Sequence, residues 1–466
     1  MIRQGVVVTA FTLCCASSIA AQAGSPAGPV PVERLTARRD SLARIMGSGI
    51  AVLRSSRERD IEGDYPQDSD YRESNDFFYL TGIEARDSWL LVVADSGRAT
   101  RITLYLPPRD PRAEQWTGPT LGPGPEATTL TGITDVRRAD SAESGIQNLL
   151  QMRTWSRKGG SLFVDRSQRA AQDTFLRALV FSGQRDEAML PAVNLPALVA
   201  QLRLVKDEEE NRRMRAAIDL TAESLIDAMR VIRPCMTEYQ VEALIESGFR
   251  SRGAERLGFP SIIGSGPNST TLHYDKNRRT IAAGDLVVMD VGGEYGYYSA
   301  DVTRTVPIDG KFTPRQRQLY ELVLAAQQAG IDSVRPGMTM GQLNRISREY
   351  MKVHSGTLCG DTTCDTHFIH GLSHWLGMDV HDVGDYATPL APGMVITVEP
   401  GIYIPAEQLG IRIEDDVLVT ATGHDLLSSK APRSPDEIEK TKGRRFGSSD
   451  QRACKSIHLF DGVIFI

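Results

Sequence analysis

The chain has 466 residues, 41% of them hydrophobic and 24% charged, proportions that fit a globular protein of two or three domains with ample core. Its 53 basic and 59 acidic residues leave a formal net charge of −6. That balance gives no electrostatic reason to expect nucleic acid or an anionic membrane surface as a partner.

Residues 1–23 read as a signal peptide. Arg3 supplies a positive start, residues 5–15 are apolar, and Ala21, Gln22 and Ala23 form a small-x-small cleavage pattern. The apolar run is too short to span a bilayer. The expectation is export, to a periplasm or the medium, with no membrane attachment after cleavage; a retained N-terminal anchor is the other reading. Of the six cysteines, Cys14 and Cys15 would leave with the signal. Cys359 and Cys364 sit in a loop rich in Gly, Thr and Asp. Export would permit a disulfide there, as a loop staple rather than a metal site, although a spacing of five also arises without one.

Residues 24–33 are rich in Pro, Gly and Ala and read as a linker. Short apolar, β-rich runs follow at 50–53, 89–94, 102–106 and 161–164, with a helical pattern at 167–180. This alternation predicts an α/β domain. Residues 195–206 look like a junction. A long amphipathic helix is expected over 206–232, stopped by Pro234, and a second over 237–250, opened by Thr237. Strand-like runs dominate 285–306 and 394–419, with a helical block at 314–351 between them. This second half reads as α+β with antiparallel hairpins. From Lys440 the texture changes and no physical account of the tail follows from it.

Charges stand where apolar strands should end. Asp290 closes the run 286–289, Asp301 opens 302–306, Glu399 closes 395–398, and Glu414 follows Ile413. A single carboxylate in such a place is ordinarily at an exposed edge or paired with an arginine. Four in separate runs are harder to explain that way, because burying them unpaired costs several kcal/mol each. Two divalent ions would cancel their charge. Oxygen donors with one imidazole, that of His374, favour Mn2+, Co2+ or Zn2+ over a thiolate site. His370 and His374 are four apart, but Gly371 stands where a helical zinc motif needs glutamate. Gly264, Ser265 and Gly266 lack the lysine of a phosphate loop, and no G-x-S-x-G elbow occurs.

Several segments together resemble one family. They are residues 74–82, 266–268, 290–292, 300–305, 370–381, 398–401 and 410–416. In these the chain is similar to the metal-dependent Xaa-Pro aminopeptidases (aminopeptidase P), over about residues 35–438. The resemblance implies an α/β domain at 34–198 and an α+β pita-bread (creatinase/aminopeptidase-type) catalytic domain at 199–438, leaving 439–466 as a tail. It implies that Asp290 chelates one metal, that His374 and Glu399 bind a second, and that Asp301 and Glu414 bridge the two. Manganese is the family's usual metal, with Co2+ or Zn2+ as alternatives. His273, His370 and His381 would bind substrate or assist proton movement, and Arg412 would stand behind Glu414. Tyr403 would support the site from behind. The implied reaction is hydrolysis of the bond before proline by a metal-bridging hydroxide, with Glu399 shuttling a proton. Implied partners are peptides with proline second, and a further copy of the chain in a homo-oligomer. Prolidase, which shares the metals and fold but cleaves only dipeptides, is the alternative. A non-catalytic binding module on the same fold is a third reading, though such proteins lose the ligands.

Overall fold

In the computed structural model, residues 25–56, 71–152, 159–167, 173–185 and 190–443 are described. The proposed signal segment and the end of the tail lie outside these. The N-terminal sheet contains β1 (Gly49–Arg54), β2 (Trp89–Asp95), β3 (Arg98–Leu106), β4 (Asp135–Arg138), β5 (Ser161–Val164) and β6 (Ala192–Asn194), in the order β4-β3-β2-β1-β5-β6. β1–β2 and β2–β3 are antiparallel, and the remaining pairs are parallel.

Both faces of this sheet are covered, which is why its central strands read as unbroken apolar runs. Leu90, Val92 and Ala94 pack with Leu35 and Leu42 of the helix Val32–Met46. Trp89, Leu91 and Val93 pack on the other side with Ile146 and Leu176. Of the helix expected over 167–180, residues 168–172 lie outside the described residues; Thr174–Arg185 is helical, with Asp173 accepting the N–H groups of Phe175 and Leu176 at its start. The expected linker is in part helix, and residues 25–31 lie against the second half of the chain. Arg212 and Arg213 donate to the carbonyls of Ala27 and Gly28, and Ala27 and Val30 are buried.

The long helix is Glu208–Val231. Asp207 and Glu210 cap each other's backbone N–H groups, so Lys206 falls before the first turn rather than inside it. The second helix is Glu238–Ser251. The helical block is two helices, Pro314–Asp332 and Met340–His354, broken at Pro336 and Gly337. The last helix, Pro435–Lys442, opens on Ser434 and runs past the expected boundary at 438. Ile438 is fully buried and Lys442 Nζ donates to Ile232 O at 2.6 Å. The start of the expected tail is therefore packed helix.

The second half of the chain holds small antiparallel sheets. β12 (Val302–Pro307), β9 (Leu286–Val291) and β8 (Ile262–Ser265) form one, and β11 (Tyr298–Ser299), β10 (Gly293–Tyr295) and β7 (Arg256–Leu257) another. β13 (Val395–Val398), β16 (Asp415–Val419) and β17 (His424–Leu426) form a third, and β14 (Gly401–Ile404) pairs with β15 (Leu409–Arg412). Register then positions the acids. Asp290 faces Thr303 across the β9–β12 ladder, one pair beyond the start of β12 at Val302. Val398 faces Asp415, so Glu399 and Glu414 leave the β13–β16 ladder at the same end.

Gly292 makes the approach of Asp290 and Asp301 possible, because a Cβ there would lie 1.9 Å from Ala300 O. Gly292→Ala is expected to lower stability by about 1–3 kcal/mol; a shift of the urea midpoint at constant m would measure it.

Candidate metallopeptidase active site

A cavity of about 470 Å³ opens where these ladder ends meet, and all nine predicted site residues line it. Asp290, Asp301, His374 and Glu414 are 7%, 5%, 6% and 2% exposed, so the charges are withdrawn from water. His374 Nε2 stands 3.3 Å from Asp301 Oδ2, 3.5 Å from Glu399 Oε1 and 3.9 Å from Glu414 Oε1. Thr397 holds the pair together: its hydroxyl accepts the His374 N–H at 3.1 Å and donates to Glu399 at 3.4 Å.

Electrostatics decide what this arrangement lacks. His374 Nδ1 donates to Trp375 O at 3.0 Å. Burial pushes the imidazole down to about 4, so it is neutral at pH 7 and presents an Nε2 lone pair to three carboxylates. Burial and the neighbouring carboxylates hold Asp301 and Glu399 well above the usual range. Burial, then the Asp290 charge, raises Glu414 to about 8. Asp290 Oδ1, Asp301 Oδ1 and Glu414 Oε1 are buried with no hydrogen-bond partner among the described residues. Donor atoms of Asp301, His374 and Glu414 all lie within 4.8 Å of one another. Bare acceptors converging on one point fit a divalent cation.

Arg412 is the cation the chain itself supplies. The resemblance sets it behind Glu414, and the Thr303 hydroxyl links the two; its guanidinium also ion-pairs with Asp290 and donates to Tyr403 Oη at 3.0 Å and Leu272 O at 3.3 Å. Tyr403 Oη also meets His370 Nε2 at 2.8 Å, and His370 Nδ1 stands 3.7 Å from Glu399 Oε2. Burial and the Arg412 charge lower His370 to about 4. The His381 ring meets His374 edge-on, 4.4 Å between centroids, and lies 6.4 Å from His273.

The comparisons fit this geometry. Residues 35–156 match the family described as Aminopeptidase P, N-terminal domain, and residues 212–421 match Metallopeptidase family M24. The Xaa-Pro aminopeptidase of Escherichia coli K12 is 34% identical, over 86% of this chain and 96% of that protein. The chain belongs to the aminopeptidase P family. Among solved structures, proline aminopeptidase P II from Yersinia pestis superposes with a TM-score of 0.80 at 33% identity, over 89% of this chain and 100% of that one. The zinc-substituted E. coli aminopeptidase P in complex with product gives 0.80 at 31% identity, over 89% and 99%. This enzyme is thus a metalloaminopeptidase with a pita-bread catalytic domain. The seam between its two halves lies between the two matched families.

Thr303 is a site residue that motif reading passed over. Its hydroxyl donates to Glu414 Oε2 at 2.6 Å and accepts from Arg412 Nε at 3.3 Å. The signal was present, since strand alternation puts Thr303 on the face of Asp301. Tyr386 and the apolar wall of Phe259, Ile262 and Leu272 also line the cavity, and nothing in their spacing marked them.

The raised Glu414 gives a pH dependence. In the metal-free enzyme the unfolded chain sheds this proton near its ordinary value of 4.5, and the folded chain keeps it to about 8. Folded protein then binds more protons across that window, so stability falls as pH rises from 4.5 to 8. Thermal melts in chelator are expected to show that fall, and Glu414→Gln to flatten it.

Proposed function

We propose that this enzyme removes the N-terminal residue from peptides whose second residue is proline, using two divalent ions. Asp290 would hold one ion and His374 and Glu399 the other, with Asp301 and Glu414 between them. What carries the reading is the neutral His374 lone pair facing Asp301, Glu399 and Glu414, of which Asp301 and Glu414 keep a buried oxygen without a hydrogen-bond partner among the described residues. The oxygen-rich donor set suits Mn2+ first, with Co2+ or Zn2+ as alternatives. Ions held there would supply a bound water of lowered pKa and a Lewis acid for the scissile carbonyl.

The chain's own groups do the rest. His381 and His273 face the cavity beside His374, placed to donate to oxygen as charge develops on it. Glu399, near both His374 and His370, is placed to carry a proton to the leaving proline nitrogen. Arg412 ion-pairs with Asp290 and fixes Tyr403 behind His370. Phe259, Ile262 and Leu272 form an apolar wall against which a side chain or a rigid ring can be sorted by shape.

Export is part of the proposal. It rests on the pattern of residues 1–23 and is supported by the Cys359–Cys364 disulfide, with 5.2 Å between Cα atoms, a bond that favours an oxidising compartment. No helix among the described residues is long and apolar enough to cross a membrane.

The test is hydrolysis of Xaa-Pro-Xaa tripeptides with Mn2+ and with chelator. Turnover with metal and none with chelator is expected, and cleavage restricted to Xaa-Pro dipeptides would make the enzyme a prolidase. Glu414→Ala should lower kcat/KM by more than about 100-fold, the most that losing an outer partner of a metal ligand brings. Wild-type turnover in that variant would refute its place between the ions.

A further inference from the structure

Val380, His381 and Tyr386 reach the cavity from one loop that precedes β13. The His381 ring touches other rings but makes no hydrogen bond among the described residues. Its position is therefore the position of its backbone, and that backbone is held from outside the catalytic sheets.

The holding group is the next residue, Asp382. Its carboxylate accepts Arg203 Nη2 at 2.6 Å and Lys206 Nζ at 3.0 Å, and its N–H donates to Trp375 O at 2.9 Å. Arg203 ends the helix Leu195–Arg203 that joins the two halves of the chain. The same guanidinium reaches Asp379 at 2.7 Å and, through Nη1, Asp76 at 2.8 Å. Asp76 belongs to the helix Asn75–Thr81 of the N-terminal domain. Lys206 N donates to Gly393 O at 2.9 Å, so the junction grips both ends of the loop. Arg203, Lys206 and Asp382 are each at most 5% exposed. The fit admits no slack, since a Cβ on Gly377 would lie 2.1 Å from Asp382 Oδ2.

A buried ion pair is weak evidence for stability, because well-packed apolar groups hold two elements together as well. What a guanidinium shared among carboxylates adds is direction, since its planar fork fixes angle as well as distance. Asp76 also lies in the segment 74–82 that marked the family in the sequence, and nothing in the cavity's chemistry uses it.

We propose that Arg203, bridging Asp76 to Asp382, is a positioning residue for His381, so that the N-terminal domain sets how His381 meets the substrate. This rests on the reading of His381 as a substrate-facing group. Asp76→Asn removes the domain-side anchor, conserves volume and leaves every metal ligand in place. On a Xaa-Pro-Xaa tripeptide with saturating Mn2+, it is expected to lower kcat about tenfold, with bound metal per chain unchanged. In a His381→Ala background the same change should alter kcat by less than about twofold, because the group it positions is gone. Asp382→Asn should behave likewise. An unchanged kcat in Asp76→Asn, or an equal loss with and without His381, overturns the proposal.

A second measurement does not depend on the substrate. The chain has eight histidines, so the His381 ring signal in the zinc-loaded enzyme can be assigned by comparison with His381→Ala. Asp76→Asn should move that signal and leave those of His354 and His424 in place; a His381 signal that stays put sinks the idea. A wild type that binds metal yet cleaves no Xaa-Pro peptide would refute the proposed substrate alone, and the ring signal would still decide the role of Arg203.

Discussion

Mutual repulsion among buried carboxylates is the constraint this structure is built around. Asp290, Asp301, Glu399 and Glu414 crowd one cavity with a neutral imidazole, and Arg412 is the guanidinium that answers them from within the chain. Such groups stay in place only if the backbone beneath each is fixed elsewhere. Each acid stands at the end of a strand rather than in a free loop. The two ladders are joined at the site itself, where Glu414 N donates to Thr303 O at 3.1 Å.

A fully buried guanidinium backs this frame from the far side. Arg304 donates to Glu414 O at 2.6 Å, to Asp415 Oδ1 at 2.7 Å and to the carbonyls of Ala431 and Pro432. Gln327, from the helix Pro314–Asp332, donates toward Val398 O and Ile413 O, the carbonyls just before Glu399 and Glu414. Neither Arg304 nor Gln327 lines the cavity. They tie the carbonyls beside two acids to a helix and to the C-terminal segment, so repulsion in the cavity is opposed by hydrogen bonds outside it. A cation among the acids would relieve the same strain from within, which makes metal binding and local order one equilibrium.

Sequence made the acids legible for a physical reason. A carboxylate ending an apolar strand is costly enough to demand an explanation, and several helix starts carried their own cap, as at Asp207, Thr313, Thr339 and Ser434. What stayed hidden depends on distance along the chain. Arg203 and Asp382 are 179 residues apart, and no local pattern pairs them. The resemblance set Arg412 behind Glu414, but its ion pair with Asp290, 122 residues away, has no local signature. Residues 25–31 looked like a linker because composition reports propensity and not docking; the arginines that hold them sit on a helix far downstream. The last helix was masked by its lysines, one of which is buried against Ile232 O.

The hairpin between β9 and β12 explains why the N-terminal domain cannot be a passive attachment. Its turn, Gly296 and Tyr297, has both φ angles positive, at 57° and 75°. That conformation suits a tight hairpin but strains a tyrosine. The strain is held by the other domain: the Tyr297 ring stacks on Phe78 at 3.7 Å, and Tyr297 Oη accepts the Glu73 N–H at 3.0 Å. Arg72 of the N-terminal half likewise reaches Glu294 at 2.8 Å. One hydrophobic cluster runs through Phe77, Phe78, Tyr297, Tyr298 and Leu376. Asp290 and Asp301 lie at the two feet of this hairpin. A displacement of the N-terminal domain would therefore pull on the segment that brings two of the acids together. The segment from Asp290 to Asp301 thus belongs at once to the interface between domains and to the geometry of the site, so a change in one is felt in the other.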